Sequence, residues 1–222
     1  MATMVRAVKK GFVRYAQEHY PEDAEQILRR ADELFPVLHA KAPDIGGKEN
    51  AMAYNLDLLI LAISFYEASD HRIEGEAIHE IANRLFNRYR FIGKLVNANS
   101  KWQMKLFRSV MYRKYVPYAK LVEEKLARGE WGNTWRVSIN PRNTEEGVCF
   151  DLLGCPLADY ARANGYAYLL PALCATDHML PKLIHAKLIR THTCATGSAN
   201  CDYWYVGDES EPAKAYANVA MK

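Results

Sequence analysis

Residues 131–153, WGNTWRVSINPRNTEEGVCFDLL, decide the fold class. Upstream of Trp131 the apolar residues recur at helical spacing, and from Trp131 onward they alternate. Thr134–Asn140 puts Trp135, Val137 and Ile139 on one side and Arg136 and Ser138 on the other, the period of a half-buried strand. Pro141–Glu146 is turn-like, and Gly147–Leu153 reads as a second strand that pairs with the first.

The preceding part reads as helices. Val5–His19 gathers Val5, Val8, Phe12, Val13 and Tyr15 near one face. Pro21 opens a second helix, where a missing N–H costs little, and that helix is expected to stop before Pro36. Asn50–Ala68 is apolar nearly all round, which predicts a buried central helix. Ser69 or Asp70 is placed to cap the next one. Trp102–Ala127 continues helical, with Pro117 as a kink or boundary and Gly129 as its terminator.

On the C-terminal side, Pro156–Asn164 predicts a short helix and Leu169–Leu183 another. Ala186–Cys194 and Ala199–Val206 then alternate as strands around a turn at Thr196–Ser198. The expected class is α+β, an N-terminal helical layer packed on a small antiparallel sheet with additional helices. Residues 1–130 form the helical part, 131–207 the α+β part and 208–222 a polar tail, together one compact domain.

A length of 222 residues suits that size, and half of them are hydrophobic and a quarter charged. The net charge of +3 names no partner. Its distribution is uneven, because Arg84–Arg128 carries 12 basic residues against Glu123 and Glu124. Aromatic residues interleave with those charges as on a nucleic-acid surface. The more ordinary expectation is a helix pair with its aromatics buried and its cations solvated. No apolar run approaches a membrane span, and MATMVRAVKKGF has neither the apolar core nor the cleavage site of a signal peptide. A cytoplasmic location with no membrane partner is therefore expected, and five cysteines, an odd number, fit reduced thiols.

Chemistry concentrates in residues 155–205. Cys174 precedes Asp177 by three residues and His178 by four, so a single helix would set all three on one face. A thiol beside an imidazole forms a thiolate at neutral pH, with Asp177 to orient it. The competing structural reading makes Cys174 a small buried side chain and His178 a surface one. Arg190 and His192 share one strand face, and Thr191 and Thr193 the other. An arginine projecting into a pocket grips a carboxylate, or else forms a surface ion pair. Alternation also separates Cys201 and Tyr203 from Asp202 and Trp204. Cys155, Cys174, His178 and Cys201 have ligand chemistry for zinc, but no CxxC or HExxH spacing occurs, so no metal is assigned. Rossmann, P-loop and GxSxG patterns do not occur.

The motif order is a Cys–Pro before a short helix, then LCxxD, an R-T-x-T strand, a glycine and a CDxxY strand. It resembles the L-2-amino-thiazoline-4-carboxylic acid hydrolase family over roughly residues 130–207, and more loosely over the helical part. The resemblance implies opening of a cyclic thioimidate ring by water, giving a carbamoyl-cysteine, with no cofactor. The residues carried over are Cys155, Cys174, Asp177, Arg190, Thr191, Gly197, Cys201 and Asp202. His178 and His192 are not part of the pattern. Catalysis is expected from Cys174, Asp177, His178 and Cys201, and substrate binding from Arg190, Thr191, Asp202 and Cys155. The expected partner is a small-molecule substrate, with self-association left open. The alternative is a non-catalytic module that binds a small ligand or metal, or acts as a sensor.

Overall fold

The computed structural model describes residues 2–216. In chain order the elements are α1 (Ala2–His19), α2 (Ala24–His39), α3 (Tyr54–Ala68), α4 (Gly75–Asn87), α5 (Lys101–Ala127), β1 (Arg136–Ile139) and β2 (Val148–Leu153). There follow α6 (Pro156–Ala163), α7 (Leu170–Ala175), α8 (Met179–Leu183), β3 (Ala186–Ile189), β4 (Asn200–Gly207) and α9 (Glu211–Ala215). The class is α+β. The chain divides into two compact units, one made of residues up to Asn87 with Pro156–Ala175, the other of Arg88–Cys155 with the described residues from Thr176 onward. Among the described residues no helix is long and apolar enough to cross a membrane.

The first unit is built around α3. Its sequence offers apolar side chains in every direction, so Leu59, Ile60, Leu61, Ile63 and Phe65 are all buried. Ser64, the polar residue among them, returns its hydroxyl to the Ile60 carbonyl (2.7 Å). Phe65 stacks on Phe12 of α1 (4.9 Å), and Ile27, Ala31, Ile73, Ala77 and Ile81 complete the core. Two boundaries differ from expectation. Pro36 lies inside α2, because the hydrogen bond it forfeits falls in the last turn, where buried Leu38 still holds the helix. Ser69 caps no following helix. It ends α3, and its hydroxyl takes the Ile73 N–H (2.9 Å) across the turn to α4.

The second unit holds a four-stranded antiparallel sheet in the order β1-β2-β4-β3. Register pairs Phe150 with Tyr203, Val148 with Tyr205 and Asp151 with Asp202. One face therefore carries Phe150, Leu152, Cys201, Tyr203, Tyr205 and Leu188. Helix α5 covers it, with Tyr115 against Phe150 (4.6 Å) and Phe107 against Tyr205 (6.3 Å). The opposite face carries Asp151, Asp202, Trp204 and Val206, and Ala213 of α9 packs beside Val206 and Ile189. The predicted polar tail thus begins as a helix capped by Ser210, and its residues 217–222 lie outside the described residues.

The β1–β2 connection ends at Gly147, with φ +72°. A Cβ there would collide with the Tyr205 carbonyl oxygen of β4. Gly147→Ala is therefore expected to cost roughly 2–4 kcal/mol from strain plus collision, read as a lower denaturant midpoint at unchanged slope.

Two further expectations are corrected in this region. Leu169–Leu183 is not one helix. Short 3-10 turns at Ala167–Leu169 and Thr176–His178 flank α7, and α8 follows. Pro181 cannot donate to the Asp177 carbonyl and its ring crowds it, which disfavours regular α geometry at Asp177, where the chain takes a 3-10 turn. The strand expected over Ala186–Cys194 stops at Ile189. The Asp202 carboxylate takes the N–H groups of Thr191 (2.8 Å) and His192 (2.6 Å), which leaves them unavailable for ladder pairing.

Candidate active site

Asp177 sits on the 3-10 turn, and Arg190 and Tyr203 reach it from the sheet face that α5 covers. Its Oδ2 accepts from Arg190 Nη1 (2.7 Å) and from the Tyr203 hydroxyl (2.9 Å). Arg190 Nη1 also lies 3.3 Å from that hydroxyl, with its guanidinium over the Tyr203 ring. The exposures differ sharply, because the Arg190 side chain is 1 % exposed and that of Asp177 38 %. Among the described residues Oδ1 of Asp177 makes no hydrogen bond. Burial pushes the Tyr203 phenol far up, so it is a permanent donor to the carboxylate.

His178 follows on the same turn and is half-buried. Burial first, and then the Arg190 charge, hold its imidazole below the ordinary range, so it is neutral at pH 7. Cys201 lies two residues from Tyr203 on the same sheet face and is buried. Its Sγ accepts the Cys194 N–H (3.2 Å). The hydrogen-bonded Cys194 thiol, and then burial, push the Cys201 thiol up and away from thiolate character.

Thr191 and Asp202 meet beyond the other sheet face. Besides the two main-chain N–H groups, the Asp202 carboxylate accepts from the Thr191 hydroxyl (2.9 Å) and from Arg142 Nη2 (2.9 Å). The Thr191 hydroxyl lies 2.8 Å from His192 Nδ1. Arg142 lies over the Trp204 ring (5.3 Å). Neighbouring Asp151 accepts from Asn200 (2.9 Å), and burial, reinforced by the Asp202 charge, pushes its carboxyl up.

The expected residues thus fall into groups. Asp177, His178, Arg190 and Cys201 share one side of the sheet, and Thr191 and Asp202 share the other. Cys174 closes α7 in the first unit, and Cys155 immediately precedes α6; both are half-buried. Two partners escaped the sequence reading. Tyr203 was legible only as a strand residue in phase with Cys201, and Arg142 as part of a turn sixty residues from Asp202. None of the five cysteines forms a disulfide. Among the described residues three metal-competent side chains converge at Glu18, His19 and Glu80, where both carboxylates are already ion-paired with Arg84.

The family model described as L-2-amino-thiazoline-4-carboxylic acid hydrolase matches residues 54–205. No curated protein and no solved structure matches the chain.

Proposed function

The chain belongs to the L-2-amino-thiazoline-4-carboxylic acid hydrolase family, and on that premise we propose that Asp177 activates the water that opens the ring of its cyclic substrate. The observation that supports this reading is the asymmetry of one carboxylate. One oxygen of Asp177 is anchored by Arg190 and Tyr203, and the other makes no hydrogen bond among the described residues, on a side chain that is 38 % exposed. A general base needs both a fixed orientation and a free lone pair.

In this mechanism Asp177 Oδ1 takes a proton from water as the oxygen attacks the electrophilic C=N carbon. The neutral His178 imidazole acts as a relay, its free ring nitrogen taking up the proton gained by Asp177 while its ring N–H gives one to the departing ring atom. Arg190 and Tyr203 are positioning residues that hold the base. Because the Arg190 guanidinium is buried against Asp177, it holds the base and not the substrate carboxylate, and Arg142, beside Asp202 and Thr191, lies on the other side of the sheet. Cys201, with its raised thiol, shapes the floor and does not attack. Cys155 and Cys174 border α6 and α7, and Cys174 is the thiol to test for covalent attack.

The test incubates purified protein with 2-amino-thiazoline-4-carboxylate and reads products by mass spectrometry. Gain of one water is expected, and it should persist in Cys174→Ser. Absence of product from folded protein across a panel of cyclic amidines and thiazolines would sink the reading. Loss of product in Cys174→Ser alone would move the attack to that thiol.

The imidazole also sets a pH dependence. As the base form of His178 persists below its ordinary pKa of about 6.5, the acidic limb of kcat/KM is expected to lie below that value. His178→Gln should abolish that limb, as a pH–rate profile would show. Stability should also fall as pH drops below about 6.5, because the unfolded chain takes up a proton there that the native imidazole refuses.

A further inference from the structure

Helix α5 is apolar on two opposite sides. The inner side packs on the sheet through Tyr115, Tyr118 and Val122. The outer side is exposed, and Trp102, Leu106, Val110, Arg113, Pro117 and Lys120 follow one another at spacings of three or four along it. Trp102 is 67 % exposed, and Leu106 and Val110 more than half. The segment leading into the helix repeats the composition, with Tyr89, Phe91 and Leu95 exposed among Arg88, Arg90 and Lys94. The expectation that aromatic residues of this stretch are buried therefore fails for Tyr89, Phe91 and Trp102.

The charge is one-sided. No Asp or Glu occurs between Glu80 and Glu123, an interval holding ten Lys and Arg. Among the described residues Lys101, Lys105, Arg113 and Lys120 have no carboxylate partner. A partner matched to this surface is anionic and also accepts apolar side chains. Nucleic acid supplies the first property but gives Leu95, Leu106 and Val110 nothing to bury against. A second copy meeting the same face would bring like charges together. A bilayer with acidic headgroups supplies both, since its phosphates and carboxylates meet the cations and its acyl boundary receives Trp102 and the aliphatic residues.

We infer that the outer face of α5, with the segment Arg88–Leu95, docks this protein peripherally on an anionic membrane surface. Full-length protein is sedimented with phosphatidylcholine vesicles, with and without phosphatidylserine, over a series of salt concentrations. Binding is expected only to the anionic vesicles, falling as salt rises, with a blue shift of tryptophan fluorescence. Each positive charge removed should weaken partitioning about fivefold, so Lys105→Glu with Arg113→Glu should lose at least about 25-fold. Trp102→Ser with Leu106→Ser should weaken binding at every salt concentration and abolish the blue shift. All four positions are exposed, so thermal midpoints are expected to stay unchanged. Failure to bind anionic vesicles at low salt would overturn the inference. So would tighter binding to an oligonucleotide that survives Trp102→Ser, or a dimer that the Trp102→Ser, Leu106→Ser protein no longer forms.

Discussion

Asp177→Asn is expected to lower kcat/KM for 2-amino-thiazoline-4-carboxylate by about 10²–10⁴, the usual contribution of a positioned general base. The amide oxygen can still accept from Arg190 Nη1 and the Tyr203 hydroxyl, so the turn at Thr176–His178 keeps its anchor. What is lost is the ability to take a proton. The ion pair with Arg190 goes too, and because that guanidinium is 1 % exposed its charge is left buried without a counter-ion, a cost of up to about 3 kcal/mol. Turnover is therefore compared at a temperature where the variant is still folded, so that loss of the base is read apart from loss of stability. Tyr203→Phe provides the control for anchoring. It removes one of two donors to the same oxygen and should reduce kcat while leaving proton transfer by Asp177 in place. Undiminished turnover in Asp177→Asn would exclude the carboxylate as the base.

Asp202→Ala is expected to be the most destabilising single change at the sheet, by about 3–5 kcal/mol in a denaturant titration. Its side chain is 7 % exposed and satisfies four donors, namely two main-chain N–H groups, the Thr191 hydroxyl and Arg142. Truncation leaves buried polar groups without partners. Asp202→Asn should fall between, because one amide oxygen can replace only part of the set. Arg142→Ala should cost less than about 1 kcal/mol, since that guanidinium is largely solvated. An Asp202→Ala protein as stable as the parent would refute the structural role.

The fold class was readable because periodicity changes abruptly near Trp131, from helical spacing to alternation. The central helix α3 was equally plain, since apolar side chains in every direction demand burial. The misplaced boundaries share a cause. Pro36 is kept in its helix by the burial of Leu38, and Asp202 ends a strand by taking backbone N–H groups eleven and ten residues away, and residue type alone does not reveal such tertiary placement. For the site, Asp177, His178 and Arg190 stood out by chemical type, and the structure brings them together. The single-helix argument that joined Cys174 to Asp177 failed for a local reason, the proline four residues beyond Asp177. Tyr203 and Arg142 were hidden because their roles require strand register. Register sets a phenol beside a carboxylate 26 residues away, and brings a turn arginine to an aspartate 60 residues away.

The separations around Asp202 also set an order of assembly. Its bonds to Thr191 and His192 close a loop of about ten residues, whereas its bond to Arg142 closes one of sixty. Short loops close with little entropic cost and form early on the folding route. The β3–β4 hairpin is thus able to form around its own carboxylate before β2 arrives. Substitutions at Asp202 should therefore slow refolding, and substitutions at Arg142 should act chiefly by speeding unfolding.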